Sequence, residues 1–367
     1  IFSKLRSLIF KLDPEVAHDL AIKSLKLKIL PEKKINSQSS ISTVIFGKTI
    51  DNPIGIAAGF DKDAEVYNSL FKLGFGFVEV GTVTPIKQYG NPKPRVFRLE
   101  EDQALINRLG FNSSGAEKVY TNISSNLPNG LFGINIGPNK ESKNRFEDYL
   151  VGLRRFHKIA DYLTINISSP NTEDLRKFHN EEELYKLLNL IINEKNKLKT
   201  KIPIAVKVSP DLNDENIDKI SELLLKFKID AAIISNTTEK NRESLNNINK
   251  VEKGGLSGKP IEKMSNNIIN KFFNKLDNKV KIIGVGGVDS GLSAYEKFLH
   301  GASAVQLYTG MVYQGPDIAY KIGKDLIQIL KNKNIKSISS IIGKKNNLDW
   351  LHLRTYTVDK LCLKNVN

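Results

Sequence analysis

The chain has 367 residues, 40% hydrophobic and 26% charged, which is the composition of a soluble globular protein with a sizeable core. Its formal charge of +15 would suit nucleic acid or an anionic surface, but lysines such as Lys195, Lys197, Lys199 and Lys201 alternate with other residues, as on a solvated helix face. Its one cysteine, Cys362, excludes an intrachain disulfide. The five histidines lack zinc-type spacing, so no metal is expected, and no apolar run reaches the roughly 18 residues of a membrane span.

The first 40 residues read as a helical extension. Phe2, Leu5, Leu8, Ile9 and Leu12 recur at helical spacing, with Lys4, Arg6 and Lys11 between them. Asp13-Pro14-Glu15 then reads as an N-cap, a proline at the first helical position and an acid in the first turn. A second helix follows through Val16, Ala17, Leu20, Ala21 and Leu25. A basic amphipathic pair of this kind suits a membrane interface; the plainer alternative is a helical cap on the main domain.

Eight short apolar runs follow, beginning at Pro53, Gly76, Leu131, Tyr162, Ile204, Ala231, Lys281 and Ala304. Amphipathic stretches lie between several of them, such as Glu182 to Lys199 and Ile217 to Phe227. Near-continuous apolar strands alternating with helices indicate a parallel sheet, and eight repeats favour a (β/α)₈ barrel over 41–345. An open doubly wound sheet is the alternative. The connection from Thr82 to Gly130 is too long for an idle loop and is placed over the active face. The tail, 346–367, has no assignable role.

Phosphate-loop look-alikes fail. Gly254-Gly255-Leu256-Ser257-Gly258-Lys259-Pro260 has proline where Ser or Thr belongs, and Gly284-Val285-Gly286-Gly287 does not extend to GxGxxG. Polar residues instead gather past the strand ends, which converge on one face of a barrel. Gly286-Gly287 and Tyr308-Thr309-Gly310 follow the last two strands and suit a phosphate. Asn107, Asn135, Asn166, Asn171 and Asn236 offer uncharged donors and acceptors, fit for a flat ring such as an isoalloxazine or a pyrimidine. Lys207 interrupts an apolar strand and must find an anion there: a reduced flavin, a substrate carboxylate or a structural ion pair.

The ordered set of motifs resembles the dihydroorotate dehydrogenases over residues 1–345. It comprises Gly59-Phe60-Asp61-Lys62-Asp63, Gly81-Thr82-Val83-Thr84-Pro85, Asn107-Arg108-Leu109-Gly110-Phe111-Asn112, Asn135-Ile136-Gly137, Asn166-Ile167-Ser168-Ser169-Pro170-Asn171-Thr172, Gly254 to Gly258 and Gly284 to Gly287. The resemblance implies an FMN-bearing barrel that oxidises (S)-dihydroorotate to orotate in pyrimidine synthesis. Serine at position 169, where the soluble class has cysteine, and the N-terminal extension imply the membrane-associated, quinone-reducing class. Such an enzyme would bind peripherally through its N-terminal helices, at the cytoplasmic face of a bacterial inner membrane, with those helices forming the quinone entrance. No nucleic acid and no obligate protein partner are implied.

The resemblance also implies roles. Ser169 would be the base at C5 of the substrate, with Thr172 and Phe111 lining a proton relay, while flavin N5 takes the hydride from C6. Lys62, facing the carboxylate, would hold substrate with Asn107, Arg108, Leu109, Gly110, Phe111, Asn166, Asn171, Asn236 and Thr237. Ala58, Gly59, Lys62, Thr82, Asn135, Asn166 and Ser235 would hold the cofactor. Lys207 would lie by its N1/C2=O edge, and Gly258, Gly287, Tyr308 and Thr309 by its phosphate. Ser235 replaces a commoner threonine, and Glu173-Asp174 is more acidic than the usual Pro-Gly, which bears on how that loop moves. Two other readings compete. A tRNA dihydrouridine synthase would need a cysteine near the flavin, and a non-catalytic, membrane-peripheral barrel would lack flavin colour.

Overall fold

A computed structural model describes residues 2–27, 31–35, 40–172 and 174–345. The expectations for Glu173, for the tail 346–367 and for Cys362 lie outside the described residues.

The eight apolar runs form eight parallel strands: β1 Ile54–Ile56, β2 Phe77–Val83, β3 Leu131–Ile136, β4 Tyr162–Asn166, β5 Ile204–Val208, β6 Ala231–Ile234, β7 Lys281–Val285 and β8 Ala304–Leu307. They pair in sequence order, and β8 pairs back onto β1, so the sheet is a closed barrel and not an open one. Apart from half-buried Lys281, every strand residue is buried. Both faces are covered, which explains why the sequence shows continuous apolar runs instead of alternation. The outward face packs on helices such as Glu181–Lys197 and Asp214–Lys226, which bury Leu184, Leu187, Leu188 and Ile191, and Ile217, Ile220 and Leu224.

The barrel interior is filled by Phe77, Leu131, Tyr162, Ala205, Ile233 and Ile283. A short hairpin, Thr43–Ile45 and Lys48–Ile50, closes its N-terminal end, and Phe46 stacks on Tyr162 at 4.2 Å between ring centroids. With that end plugged, ligands have only the C-terminal rim.

The connection after β2 is not a bare loop. It carries the antiparallel strands Val96–Leu99 and Ala104–Asn107 and the helix Ala116–Ser124. The segment Gly255–Gly258, which the sequence offers as a motif and a failed phosphate loop but not as a strand, adds a third strand beside Ala104–Asn107. This small sheet stands over the rim; of the N-terminal helices α1 (Phe2–Ile9) and α2 (Pro14–Lys26), α2 packs on its strand Val96–Leu99 and α1 on the helix Thr309–Gln314.

The helix start inferred at Asp13-Pro14-Glu15 is present. The Asp13 carboxylate accepts from the backbone N–H groups of Glu15 and Val16 at 2.9 and 3.1 Å, and Pro14 opens the helix. Glu15 does more than cap: it pairs with the buried Arg95 guanidinium at 2.9 Å and so ties α2 to the small sheet. Arg98 donates to the carbonyls of Phe10 and Leu12 at 2.9 Å and holds the turn between the helices. Ile22 and Leu25 of α2 are buried, while Leu5, Leu8, Leu12, Val16 and Leu20 are exposed.

Candidate active site

One cavity occupies the rim beneath the small sheet. All eight strand ends or their following loops contribute to it, except that after β3. Of the residues inferred from sequence, only Arg108, Asn135 and Thr172 do not line it.

Those three have other surroundings. Arg108 turns away, pairing with Glu252 at 2.7 Å and lying over the Phe97 ring. Asn135 is fully buried below the floor; its amide accepts from the Thr82 hydroxyl at 2.7 Å and donates to Glu79 at 2.9 Å. Thr172 is buried beside Asn171, and its hydroxyl has no partner among the described residues.

Below the floor lies a polar network that the sequence did not reveal. Glu79 is wholly buried inside the barrel and accepts from Asn135, the Tyr162 hydroxyl, the Thr164 hydroxyl and the Gln306 amide, at 2.9 to 3.1 Å. Four donors satisfy a carboxylate that would otherwise be costly to bury. From Asn135 the chain runs upward: the Asn166 amide donates to Thr82 at 3.0 Å, the Ser168 hydroxyl donates to Asn166 at 2.9 Å, and the Asn236 amide donates to Ser168 at 2.9 Å. The asparagines are thus oriented by one another. The Tyr149 hydroxyl holds the Asn166 carbonyl at 2.7 Å from the helix side.

On the cavity wall, Ser169 is 6% exposed, and its hydroxyl accepts the Asn171 backbone N–H at 3.2 Å. The Asn171 amide donates to the Asn107 side chain at 3.1 Å, which joins the β4 loop to the small sheet. The Phe111 ring packs so closely on Gly137 that a Cβ there would come within 2.9 Å of it, which accounts for the glycine of the Asn135-Ile136-Gly137 motif.

Two lysines face the cavity. Lys207 is the strand neighbour of Asn166 and is buried. Lys62 is half-buried along the wall. Neither has a hydrogen-bond or ion-pair partner among the described residues. Desolvation lowers the Lys207 ammonium pKa, with Glu79 opposing it. Desolvation and then the Arg95 charge lower that of Lys62 to about 8. An ammonium drawn out of water without an anion is costly, so buried Lys207 and, less strongly, half-buried Lys62 mark where an anionic or electron-rich ligand belongs.

The far wall is built for close approach. Gly287, at φ +76°, leaves no room for a side chain: a Cβ would sit 2.4 Å from that of Glu262. Gly258, at φ +101°, would clash in the same way with the Gln103 carbonyl. Ser257 and Thr309 share a hydrogen bond of 2.8 Å between them. Bare backbone beside hydroxyls, with Lys259 on the same wall, is a phosphate cradle in chemistry. With the carbonyl-and-amide floor and Lys207 at its edge, the donor set fits a flavin mononucleotide. Gln103, Leu105, Asn112, Ser257 and Lys259 were not inferred from sequence, because they come from the segments read as loop.

A second hollow opens between α2 and the barrel. His18 packs edge-on against Phe60 at 5.2 Å and near Tyr308. Lys62, Leu109 and Tyr308 line both hollows. Burial, followed by the Lys62 charge, lowers the His18 pKa to about 4. No helix among the described residues is long and apolar enough to cross a membrane.

The family model for dihydroorotate dehydrogenase matches residues 40–330. A dihydroorotate dehydrogenase (quinone) of Bartonella henselae is 44% identical over 340 residues, covering 91% of this chain and 93% of the relative. Its counterpart from Rhizobium rhizogenes is 42% identical over 337 residues, with the same coverage. The crystal structure of the Eimeria tenella dihydroorotate dehydrogenase in complex with ferulenol superposes with a TM-score of 0.87 at 38% identity, covering 92% of this chain and 96% of that one.

Proposed function

The chain belongs to the dihydroorotate dehydrogenase family, and on that premise we propose that it oxidises (S)-dihydroorotate to orotate and passes the electrons to a quinone, in the synthesis of pyrimidines. The observation that carries this reading is the pair of partnerless lysines, Lys62 and Lys207, on opposite duties around one amide-lined cavity. FMN, when bound, supplies the two-electron acceptor that relays electrons from substrate to quinone.

The residues divide the remaining work. Lys62 meets the substrate carboxylate. The amides of Asn107, Asn171 and Asn236, with the Thr237 hydroxyl, bind the ring and fix which face is presented. Asn166 lies between the two ligands. Lys207, Ser235, Thr82 and the backbone near Ala58-Gly59 hold the cofactor ring; Gly258, Gly287, Tyr308 and Thr309 hold its phosphate.

Ser169 takes the proton from C5. A serine hydroxyl is a weak base, so the proton must pass on. The unpartnered Thr172 hydroxyl, three residues along the same loop, supports a relay that begins there, with Phe111 on the cavity wall as its other member.

The exposed leucines of α1 and α2 face a membrane surface, and the hollow at His18 admits the quinone. That makes the protein peripheral, at the cytoplasmic face of a bacterial inner membrane. The test is the visible spectrum of the purified protein. A flavin band should bleach on addition of dihydroorotate without oxygen and return on addition of a short-chain quinone. A protein that binds flavin but is not bleached would sink the substrate assignment.

A further inference from the structure

Arg176 does not line the cavity, yet its guanidinium touches the loops after β4 and β6, which do, and the loop after β5, whose strand supplies Lys207 to it. Its Nε donates to the Ser168 carbonyl at 3.3 Å. One terminal nitrogen donates to the Thr237 carbonyl at 3.2 Å. The other pairs with Asp211 at 3.0 Å and with Glu239 at 3.2 Å. These partners follow β4, β5 and β6 in turn. Asp211 is half-buried and is itself shared, accepting from the Thr238 hydroxyl and from the Glu239 backbone N–H.

The two carbonyls matter most. A peptide unit is planar, so fixing the Ser168 carbonyl fixes the backbone nitrogen of Ser169. Fixing the Thr237 carbonyl orients the residue whose hydroxyl lies buried without a partner at the cavity. A guanidinium presents five donors in one plane and can serve both carbonyls and a carboxylate together; an ammonium cannot.

We propose that Arg176 is a positioning residue that locks the loops after β4, β5 and β6 into one register, so that Ser169 and the Asn236-Thr237 pair face the substrate at the same time. This rests on the substrate reading given above. The lock reaches substrate geometry but not the cofactor's phosphate wall, which β7 and β8 supply. Its loss therefore separates two properties that a general loss of stability would move together.

The experiment uses the FMN-loaded full chain in three forms: wild type, Arg176→Ala and Arg176→Lys. Three quantities are read: the anaerobic rate of flavin reduction by dihydroorotate, the orotate-induced shift of the flavin spectrum, and FMN affinity by flavin fluorescence. A misplaced loop costs on the order of 100-fold in rate. Arg176→Ala should lose about that much in flavin reduction, and orotate binding should weaken about tenfold, while FMN affinity stays within about threefold. Guanidinium ion at millimolar concentration should recover part of the rate in Arg176→Ala, and ammonium should not. Arg176→Lys should stay impaired despite its charge. Reduction within about threefold of wild type in Arg176→Ala would overturn the proposal. So would a parallel fall of orotate affinity, FMN affinity and melting temperature in both variants. If Arg176→Ala does not fold, Arg176→Lys decides: a wild-type rate overturns the lock, and a slow rate with intact FMN affinity supports it. Failure of the wild-type enzyme to bleach at all would instead refute the underlying substrate reading.

Discussion

Lys297, in the helix layer, and Lys207, on the cavity wall, are both buried lysines whose ammonium groups desolvation draws below their ordinary range. Lys297, lowered to about 7, is 0% exposed and donates to Ser265 at 3.0 Å and to Asn266 at 2.9 Å. Ser265 in turn donates to the Val285 carbonyl at the end of β7. Lys207 makes no such bonds among the described residues. The same contrast holds for hydroxyls. Thr164, inside the barrel, donates to Glu79 at 3.0 Å, whereas those of Thr172 and Thr237, near the cavity, have no partner among the described residues. Away from the rim, Glu79, Thr164 and Lys297 each meet partners from the protein itself. At the rim, Lys207 and the hydroxyls of Thr172 and Thr237 find none among the described residues.

Three changes would break or sharpen that contrast. The largest effect belongs to Ser169. Removing a general base costs about 10²- to 10⁴-fold, so Ser169→Ala should slow single-turnover flavin reduction by that order. Orotate should still shift the flavin spectrum. Near-normal reduction would show that the proton leaves by another group.

Next is Lys62. Its pKa is lowered to about 8, so the cation is present below that pH and is lost above it. Orotate binding to the FMN-loaded enzyme should be flat below pH 8 and weaken by up to about tenfold per pH unit above it, since the charged form falls by that factor. Lys62→Met should abolish the pH dependence. A flat profile to pH 10 in the wild type would remove the carboxylate contact from the account.

The smallest effect compares two threonines by chemical denaturation. Thr164→Val takes away a donor that a buried carboxylate uses, and should destabilise by about 1–3 kcal/mol. Thr172→Val removes a hydroxyl with no partner and should leave stability nearly unchanged while slowing flavin reduction. Equal destabilisation by both would erase the distinction between rim and interior.

How much of this was legible beforehand varied with the physics involved. The eight strands were readable because burial on both faces leaves continuous apolar runs, and the α2 start because Asp13-Pro14-Glu15 encodes capping locally. Most of the cavity followed from polar residues placed just past strand ends. Glu79 was hidden in the run Phe77-Val78-Glu79-Val80, since nothing local shows that four donors from distant strands meet it. Arg95 and His18 carry no local signal either; Arg95 is paired by Glu15, 80 residues away in sequence, and His18 is half-buried where α2 meets Phe60. The strands after β2 are masked in the sequence by Gly90, Pro92 and Pro94, which are turn formers. Their partner, Gly255–Gly258, lies about 150 residues further on.

The most direct test of the contrast is an FMN titration of the cofactor-stripped protein, followed by flavin fluorescence, in wild type, Lys207→Met and Lys297→Met. The account predicts that Lys207→Met binds FMN at least about tenfold more weakly, since a charge-assisted contact is worth about 1.5–3 kcal/mol, yet is no less stable than wild type without cofactor. Lys297→Met should show the reverse, with lower stability and FMN affinity within a few-fold. Unchanged FMN affinity in Lys207→Met, with stability lost instead, would contradict it: Lys207 would then be a structural residue.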